Sequence, residues 1–526
     1  MLTHRPFTTL RRRSRTARAI LSALIIGHCS LIISSTSASA APTAEQEKLA
    51  HLTLAEAAAQ IRSGKVTSVQ LTEACLARIE TYDSKLDAFI TVMKDQALAQ
   101  AKALDAEAKA GKFRGPLHGV PIALKDNVDT ANARTTGGSA LFADRLPKED
   151  ATIVTRMVAA GAVIIGKTNL QEFAMGGGES SYYGPSRNPW NLAHNTGGSS
   201  SGSGAAISAF LAYGAIGTDT GGSIRMPASF SGIVGHKPTY GLVPIRGIIP
   251  LRVSMDHAGP MTRTVEDSAI MLNVLAGYDK LDITSAESSP KEDYVAALKQ
   301  PVKDLKLGLP VGYFDYLDPE VKAAFDAAMV VLNGLTSGSK EMFLPPAVRP
   351  LNGAAETIAW HEDYVKASAG SYMYPQRRRL EALAKDGGGT ASDYVKGMWE
   401  WQLLRRTIGD YFEKAGVDLV VVPTHRILPP KIDDLLARAY SNNPSDPNLT
   451  SNCWPFNLFG LPSISIPCGF SKDGLPIGLM ISGPRFADGK VLALANAYEK
   501  ATEWHKRQPP LTPETAKPPV KKFLQP

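Results

Sequence analysis

Between residues 115 and 241, short apolar runs at 120–124, 162–165 and 213–216 alternate with stretches of helical periodicity at 153–160 and 204–212. Apolar runs of four or five residues bounded by Gly, Pro or charge read as strands. Strands alternating with helices fold into an α/β sheet with helices packed on it. The same texture returns near the end, where residues 418–422 and 463–467 read as further core strands. Upstream, Thr53 followed by Glu56 and Thr67 followed by Gln70 each form a capping-box pattern before an amphipathic run. They predict helices ending near Gly64 and Tyr82, and an Ala-rich third helix follows at 95–110. Residues 285–410 are more charged and helical, and read as a peripheral insertion or lid. The Pro- and Lys-rich tail, 508–526, is expected to be loosely held.

The formal charge of +7 is concentrated at one end. Residues 1–40 hold six Arg and no acid, which leaves 51 basic against 50 acidic side chains in the remainder. That body has no electrostatic case for nucleic acid or for anionic membranes. The basic segment precedes an apolar run at 19–33 and then Ala38-Ser39-Ala40. A positive n-region, an apolar h-region and an A-x-A site describe a secretory signal peptide cut near Ala40. Fifteen helical residues rise only ~22 Å, short of the ~30 Å hydrocarbon core, so an export signal is favoured over an anchor. The expected location is the periplasm or the extracellular space, with no membrane association after cleavage. Cys75, Cys453 and Cys468 then remain, an odd number that makes no disulfide framework. Cys453 and Cys468 have the option of pairing, but each also suits a small buried apolar position. No CxxC or HExxH pattern suggests a metal.

Three motif matches fail their context tests. Gly161 to Thr168 fits the phosphate-loop pattern, yet its middle residues Ala162, Val163, Ile164 and Ile165 are those of a strand. Gly198 to Gly202 fits G-x-S-x-G, but polar residues 191–196 precede it where a nucleophile elbow needs a strand. Ser337 to Lys340 fits S-x-x-K inside a Gly/Ser turn and reads as solvated loop.

A constellation carries more. Lys125-Asp126-Asn127 ends the first apolar run. Gly197-Gly198-Ser199-Ser200-Ser201-Gly202-Ser203 follows downstream, and then Gly217 to Pro227 with Thr220, Gly221, Gly222 and Ser223 at its centre. Glycine beside serine lets the backbone take tight geometries and turn its N–H groups on a ligand. Such amides beside a hydroxyl are the parts of an oxyanion hole. A lysine at the end of a buried strand is desolvated toward use as a base.

With Gly235 to Gly241, Gly115 to Asp126, Gly166 to Ala174, Asp256 to Pro260, Asn457 to Pro462 and Leu475 to Leu479, these segments resemble the amidase signature family of serine hydrolases, from about Leu52 to Trp504. The resemblance implies the amidase signature fold over 41–507, a central mixed β-sheet flanked by helices on both faces. It implies Ser223 as nucleophile, Ser199, after a cis peptide from Gly198, as bridging serine, and Lys125 as general base. Backbone N–H groups of Thr220, Gly221, Gly222 and Ser223 would bind the oxyanion, without histidine, metal or cofactor. Ser201 stands where the family usually has glycine. Met175, Tyr182 and Tyr183, between two core motifs, are candidates for the acyl pocket. The partner expected is a small-molecule amide, cleaved at its C–N bond. Peptide amides and aryl acylamides are narrower options, and Arg377, Arg378 and Arg379 admit a carboxylate-bearing substrate. The body is also similar to the glutamine-dependent tRNA amidotransferase subunit, notably over Glu172 to Gly176. In that relative an acid precedes the segment matching Asn457 to Pro462, and the matching position here is the neutral Thr450. Together with export, this favours a stand-alone hydrolase.

Overall fold

A computed structural model of the protein describes residues 41–176, 179–347, 355–385, 390–441 and 451–520. The proposed signal peptide and Thr450 lie outside the described residues.

The helix starts read from sequence are where the threonines are. Thr53 and Thr67 accept from the N–H groups of Glu56 and Gln70, whose side chains reach back to the threonine backbone. The helices run Leu54–Arg62 and Ser68–Leu86, and the Ala-rich helix Lys94–Lys109. Each such cap contributes about 1 kcal/mol.

Among the described residues thirteen strands follow in chain order: β1 (Phe89–Val92), β2 (Pro121–Lys125), β3 (Val163–Thr168), β4 (Arg187–Asn188), β5 (Asn191–Asn195), β6 (Gly214–Asp219), β7 (Val234–Lys237), β8 (His257–Thr262), β9 (Leu307–Pro310), β10 (Ser339–Met342), β11 (Leu419–Pro423), β12 (Ser463–Phe470) and β13 (Pro476–Ser482). β4 and β5 pair as a small ribbon, and the other eleven form one sheet in the order β1-β3-β2-β6-β8-β7-β12-β13-β11-β9-β10. β3, β2 and β6 are parallel, within the α/β sheet that the strand–helix alternation predicted. β8, β7, β12 and β13 are antiparallel to their neighbours, so the sheet is mixed. β2, β3, β6, β8 and β11 are buried at every residue. Successive strand side chains point to opposite faces, so the sheet is covered on both.

The phosphate-loop look-alike is β3, with its Lys167 tied to Asp126 at 3.2 Å inside the core. Within 285–410 the expected helices are present, but β9 and β10 also fall there and extend the sheet. The peripheral helical part is therefore shorter and contains Ala355–Ser368, Tyr374–Lys385 and Ala391–Ala415. In the described part of the tail, Lys517 bridges to the Asp87 carboxylate at 2.6 Å. Cys75, Cys453 and Cys468 are all buried and free. Among the described residues no helix is long and apolar enough to cross a membrane.

Candidate active site

The site grows from the carboxyl ends of neighbouring parallel strands, where open α/β sheets place their ligand crevices. β2 ends on Lys125 and β6 on Asp219. Lys125 is fully buried, and its Nζ lies 2.8 Å from Ser199 Oγ, 2.8 Å from Thr218 Oγ1 and 3.4 Å from the Thr218 carbonyl. Burial pushes the ammonium down to about 7, against the opposing pull of Asp219 and Asp256. Thr218 Oγ1 also accepts from Asn127 Nδ2 at 3.1 Å. An uncharged amine has two N–H groups and one lone pair. With both N–H groups on Thr218, the lone pair is left for the Ser199 hydroxyl.

Ser199 follows a cis peptide from Gly198, as the resemblance implies, and sits just before the buried helix Ser201–Ser208. Small residues let that helix approach the core. A Cβ at Gly202 would lie 2.3 Å from the Ala88 carbonyl oxygen. Ser201 takes up an ordinary helical position, so the departure from glycine there introduces no left-handed backbone. The Ser200 N–H donates to the Ser223 carbonyl at 3.3 Å, which joins the two serine loops. Ser223 is half-buried and lines a cavity of about 190 Å³ together with Thr220, Gly221, Met226, Met255 and Trp454.

The loop carrying Ser223 is wound around one carboxylate. Asp219 accepts from Gly222 N at 2.6 Å, Ile224 N at 3.0 Å, Arg225 Nε at 3.0 Å and Asn457 Nδ2 at 2.8 Å. Burial alone would raise this carboxyl, but the Arg225 guanidinium beside it holds it well below the usual carboxylate range. Gly222 takes φ +127°, and a Cβ there would meet Cys453 at 2.7 Å. This arrangement corrects one expectation. The Gly222 amide is engaged by Asp219, which leaves three of the four N–H groups. No acceptor for the amides of Thr220, Gly221 or Ser223 lies among the described residues. The Thr220 hydroxyl donates to Asp256 at 2.5 Å, and burial pushes that carboxyl up to about 6.

Of the expected acyl-pocket residues, Met175 lines the cavity. Tyr182 and Tyr183 do not line it: Tyr182 is 56% exposed and packs edge-on against Tyr183. Arg379, one of the three arginines considered for a carboxylate-bearing substrate, is on the wall, as are Leu251 and Arg252, which were not singled out from sequence. Arg379 donates to the Met175 carbonyl, whereas Arg378 donates to the Ala439 and Ser441 carbonyls outside that wall. Sequence reasoning also missed the roles of Asp219, Arg225 and Asn457, although all three stand within the motifs that carry the resemblance. His257 gives its Nδ1 proton to backbone carbonyls, at 2.6 Å for Met255 and 3.1 Å for Asp219. Burial and the nearby Lys237 keep it uncharged. Among the described residues, no group of acids, His and Cys is arranged to hold a metal.

A buried lysine–serine pair and a neighbouring serine loop, set at the carboxyl ends of interior parallel strands of a mixed eleven-stranded sheet, define a class, and sequence comparison agrees with it. Residues 70–492 match the amidase family, to which the chain belongs. A glutamyl-tRNA(Gln) amidotransferase subunit of Moorella thermoacetica is 40% identical over 492 residues, 88% of this chain and 99% of that protein. The native peptide amidase of Stenotrophomonas maltophilia superposes with a TM-score of 0.76 at 31% identity, covering 88% of this chain and 98% of its own. A 6-aminohexanoate cyclic dimer hydrolase superposes equally well, at 0.76 and 27% identity, with 88% and 99% covered.

Proposed function

We propose that the protein is a serine hydrolase that cleaves the C–N bond of a carboxamide or N-acyl amine through an acyl-enzyme on Ser223. The observation that carries this reading is the buried, easily deprotonated Lys125 hydrogen-bonded to Ser199, whose neighbour Ser200 is joined to Ser223 through its backbone N–H. Neutral Lys125 takes a proton from Ser199 as Ser199 takes one from Ser223. The Ser223 oxygen attacks the carbonyl carbon, and the amides of Thr220, Gly221 and Ser223 stabilise the oxyanion. The proton returns from Lys125 through Ser199 to the leaving nitrogen, and the C–N bond breaks. Water then attacks the ester by the same relay, which releases the acid and restores Ser223. Arg252 and Arg379 on the wall suit a substrate rich in carbonyl or carboxylate oxygen.

The likeness to peptide amidase favours small peptide amides as substrates. The likeness to a glutamyl-tRNA(Gln) amidotransferase supports a second reading, in which the same chemistry releases ammonia from glutamine within a complex. Purified chain assayed without partners separates the two. The hydrolase reading predicts turnover of peptide or aryl acylamides by the isolated protein, unaffected by chelators and abolished by Ser223→Ala. Turnover that persists in Ser223→Ala rejects the assignment of the nucleophile. Activity on glutamine that appears only with added partner proteins favours the second reading. Export with cleavage after Ala40 is part of the proposal, and N-terminal sequencing of the secreted form should begin at Ala41.

A further inference from the structure

The cavity wall beside Ser223 is built from a backbone that needs holding. Phe173 and Ala174 are consecutive non-glycine residues in the left-handed region, at φ 50° and 57°, and Gly176 follows at φ 68°. Such conformations persist only where their surroundings impose them. Ala174, Met175 and Gly176 all line the cavity. Their restraint comes from the peripheral helices. The Phe173 ring packs among Phe142, Trp360, His361 and Tyr372, with centroids 5.0–5.6 Å away. Glu172 is fully shielded from solvent, and its two carboxyl oxygens join three segments of chain. Oε1 accepts from Ser139 Oγ at 2.5 Å, and Oε2 accepts from the backbone N–H of Met373 at 2.9 Å. Met373 immediately precedes the helix Tyr374–Lys385. That helix then returns two side chains to the turn. Gln376 donates to the Gly176 carbonyl at 3.3 Å and to Ser180, and Arg379 donates to the Met175 carbonyl.

We propose that Glu172 is a positioning residue for substrate: by clasping the helix Tyr374–Lys385 to the turn at 172–176, it sets the shape of the wall against which the acyl or leaving group packs. The inference rests on the hydrolase reading above and adds to it a determinant of substrate size. Glu172 does not line the cavity, and Lys125 and Ser199 lie on other elements, joined to this segment by the Gln171 N–H, which donates to the Ser199 carbonyl at 3.3 Å. Loosening the clasp therefore weakens binding of bulky substrates and leaves the bond-making steps intact. A small reagent that hardly touches the wall is insensitive to it.

The test uses the full chain with the variants Glu172→Ala, Glu172→Gln and Gln376→Leu, each checked for a cooperative thermal transition. Two readouts are compared: steady-state hydrolysis of N-acetyl- and N-benzoyl-4-nitroanilide, and the rate of inactivation by a small ethyl fluorophosphonate. For Glu172→Ala, KM for the benzoyl substrate is expected to rise about tenfold. Its kcat, and the inactivation rate, should stay within about twofold of wild type. Glu172→Gln keeps an acceptor for Met373 N–H and is expected to recover most of the KM. Gln376→Leu cuts the returning contact and should reproduce the KM effect, so the test survives a Glu172→Ala chain that fails to fold. An unchanged KM in folded variants overturns the proposal, as does a fall in kcat and inactivation rate that parallels the loss of turnover. A wild-type protein that neither turns over nor reacts with the fluorophosphonate removes the hydrolase reading and the clasp together. A reactive wild type with unmoved KM values removes the clasp alone.

Discussion

In the proposed mechanism the chemistry at Lys125 depends on a single proton. Its ammonium is buried at the end of β2 and pushed down to about 7. Only the uncharged amine accepts a proton from Ser199. Acylation is therefore expected to rise about tenfold per pH unit below 7 and to level off above it, because raising the pH empties the lysine of its proton. A pH profile of kcat/KM that falls between pH 6 and 8 contradicts this. Lys125→Ala removes the base and should lower kcat/KM by about 10²–10⁴, the range typical of general-base loss. Lys125→Arg should be as poor, since a guanidinium does not deprotonate near neutrality. The place of Lys125 at the end of a buried strand was legible in the sequence, because a lysine closing an apolar strand and serines set among glycines are local signals. The loss of Gly222 from the oxyanion set was not. It arises from a carboxylate three residues away whose direction is fixed only once the loop has folded.

At the scale of elements, the turn between β6 and the helix Arg225–Ser231 is shaped by the Asp219–Arg225 pair, both fully buried. Breaking one partner of such a pair leaves an uncompensated charge in the core and costs about 3–5 kcal/mol. Asp219→Ala is accordingly expected to destabilise the chain to urea by that amount and to lose fluorophosphonate reactivity at Ser223, as the loop unwinds. A variant with wild-type stability and reactivity would remove the carboxylate from this role. Asn457 completes the pair from a distance of 238 residues in sequence. Nothing local in Asn457-Leu458-Phe459-Gly460 announces that contact, so the motif is visible in the sequence but its role is not. Tyr182 and Tyr183 illustrate the converse. Their place between core motifs suggested a pocket, but sequence position does not fix direction, and their segment turns Tyr182 outward.

Across the whole molecule, the parallel strands β2, β3 and β6 were readable because strand–helix–strand units leave a periodic trace. The antiparallel half was only partly so. β8, with its buried Gly259 and Pro260, carries little strand propensity, and pairing on both sides holds it. β9 and β10 were hidden inside a segment whose charge and helicity dominated its reading. The three cysteines of the body are free and deeply buried, and burial pushes the Cys75 thiol up to about 12. Adding a reductant should leave the melting temperature of residues 41–526 unchanged. A drop of several degrees would point to a disulfide between Cys453 and Cys468.

The arrangement of Lys125, Ser199 and Ser223 is tested most directly by locating the covalent adduct. The wild-type protein treated with a fluorophosphonate, digested and sequenced by mass spectrometry, is predicted to carry the phosphonyl group on Ser223 alone, and Lys125→Ala to acquire it at least a hundredfold more slowly. An adduct on Ser199 or elsewhere, or equal rates in the two proteins, would contradict the relay.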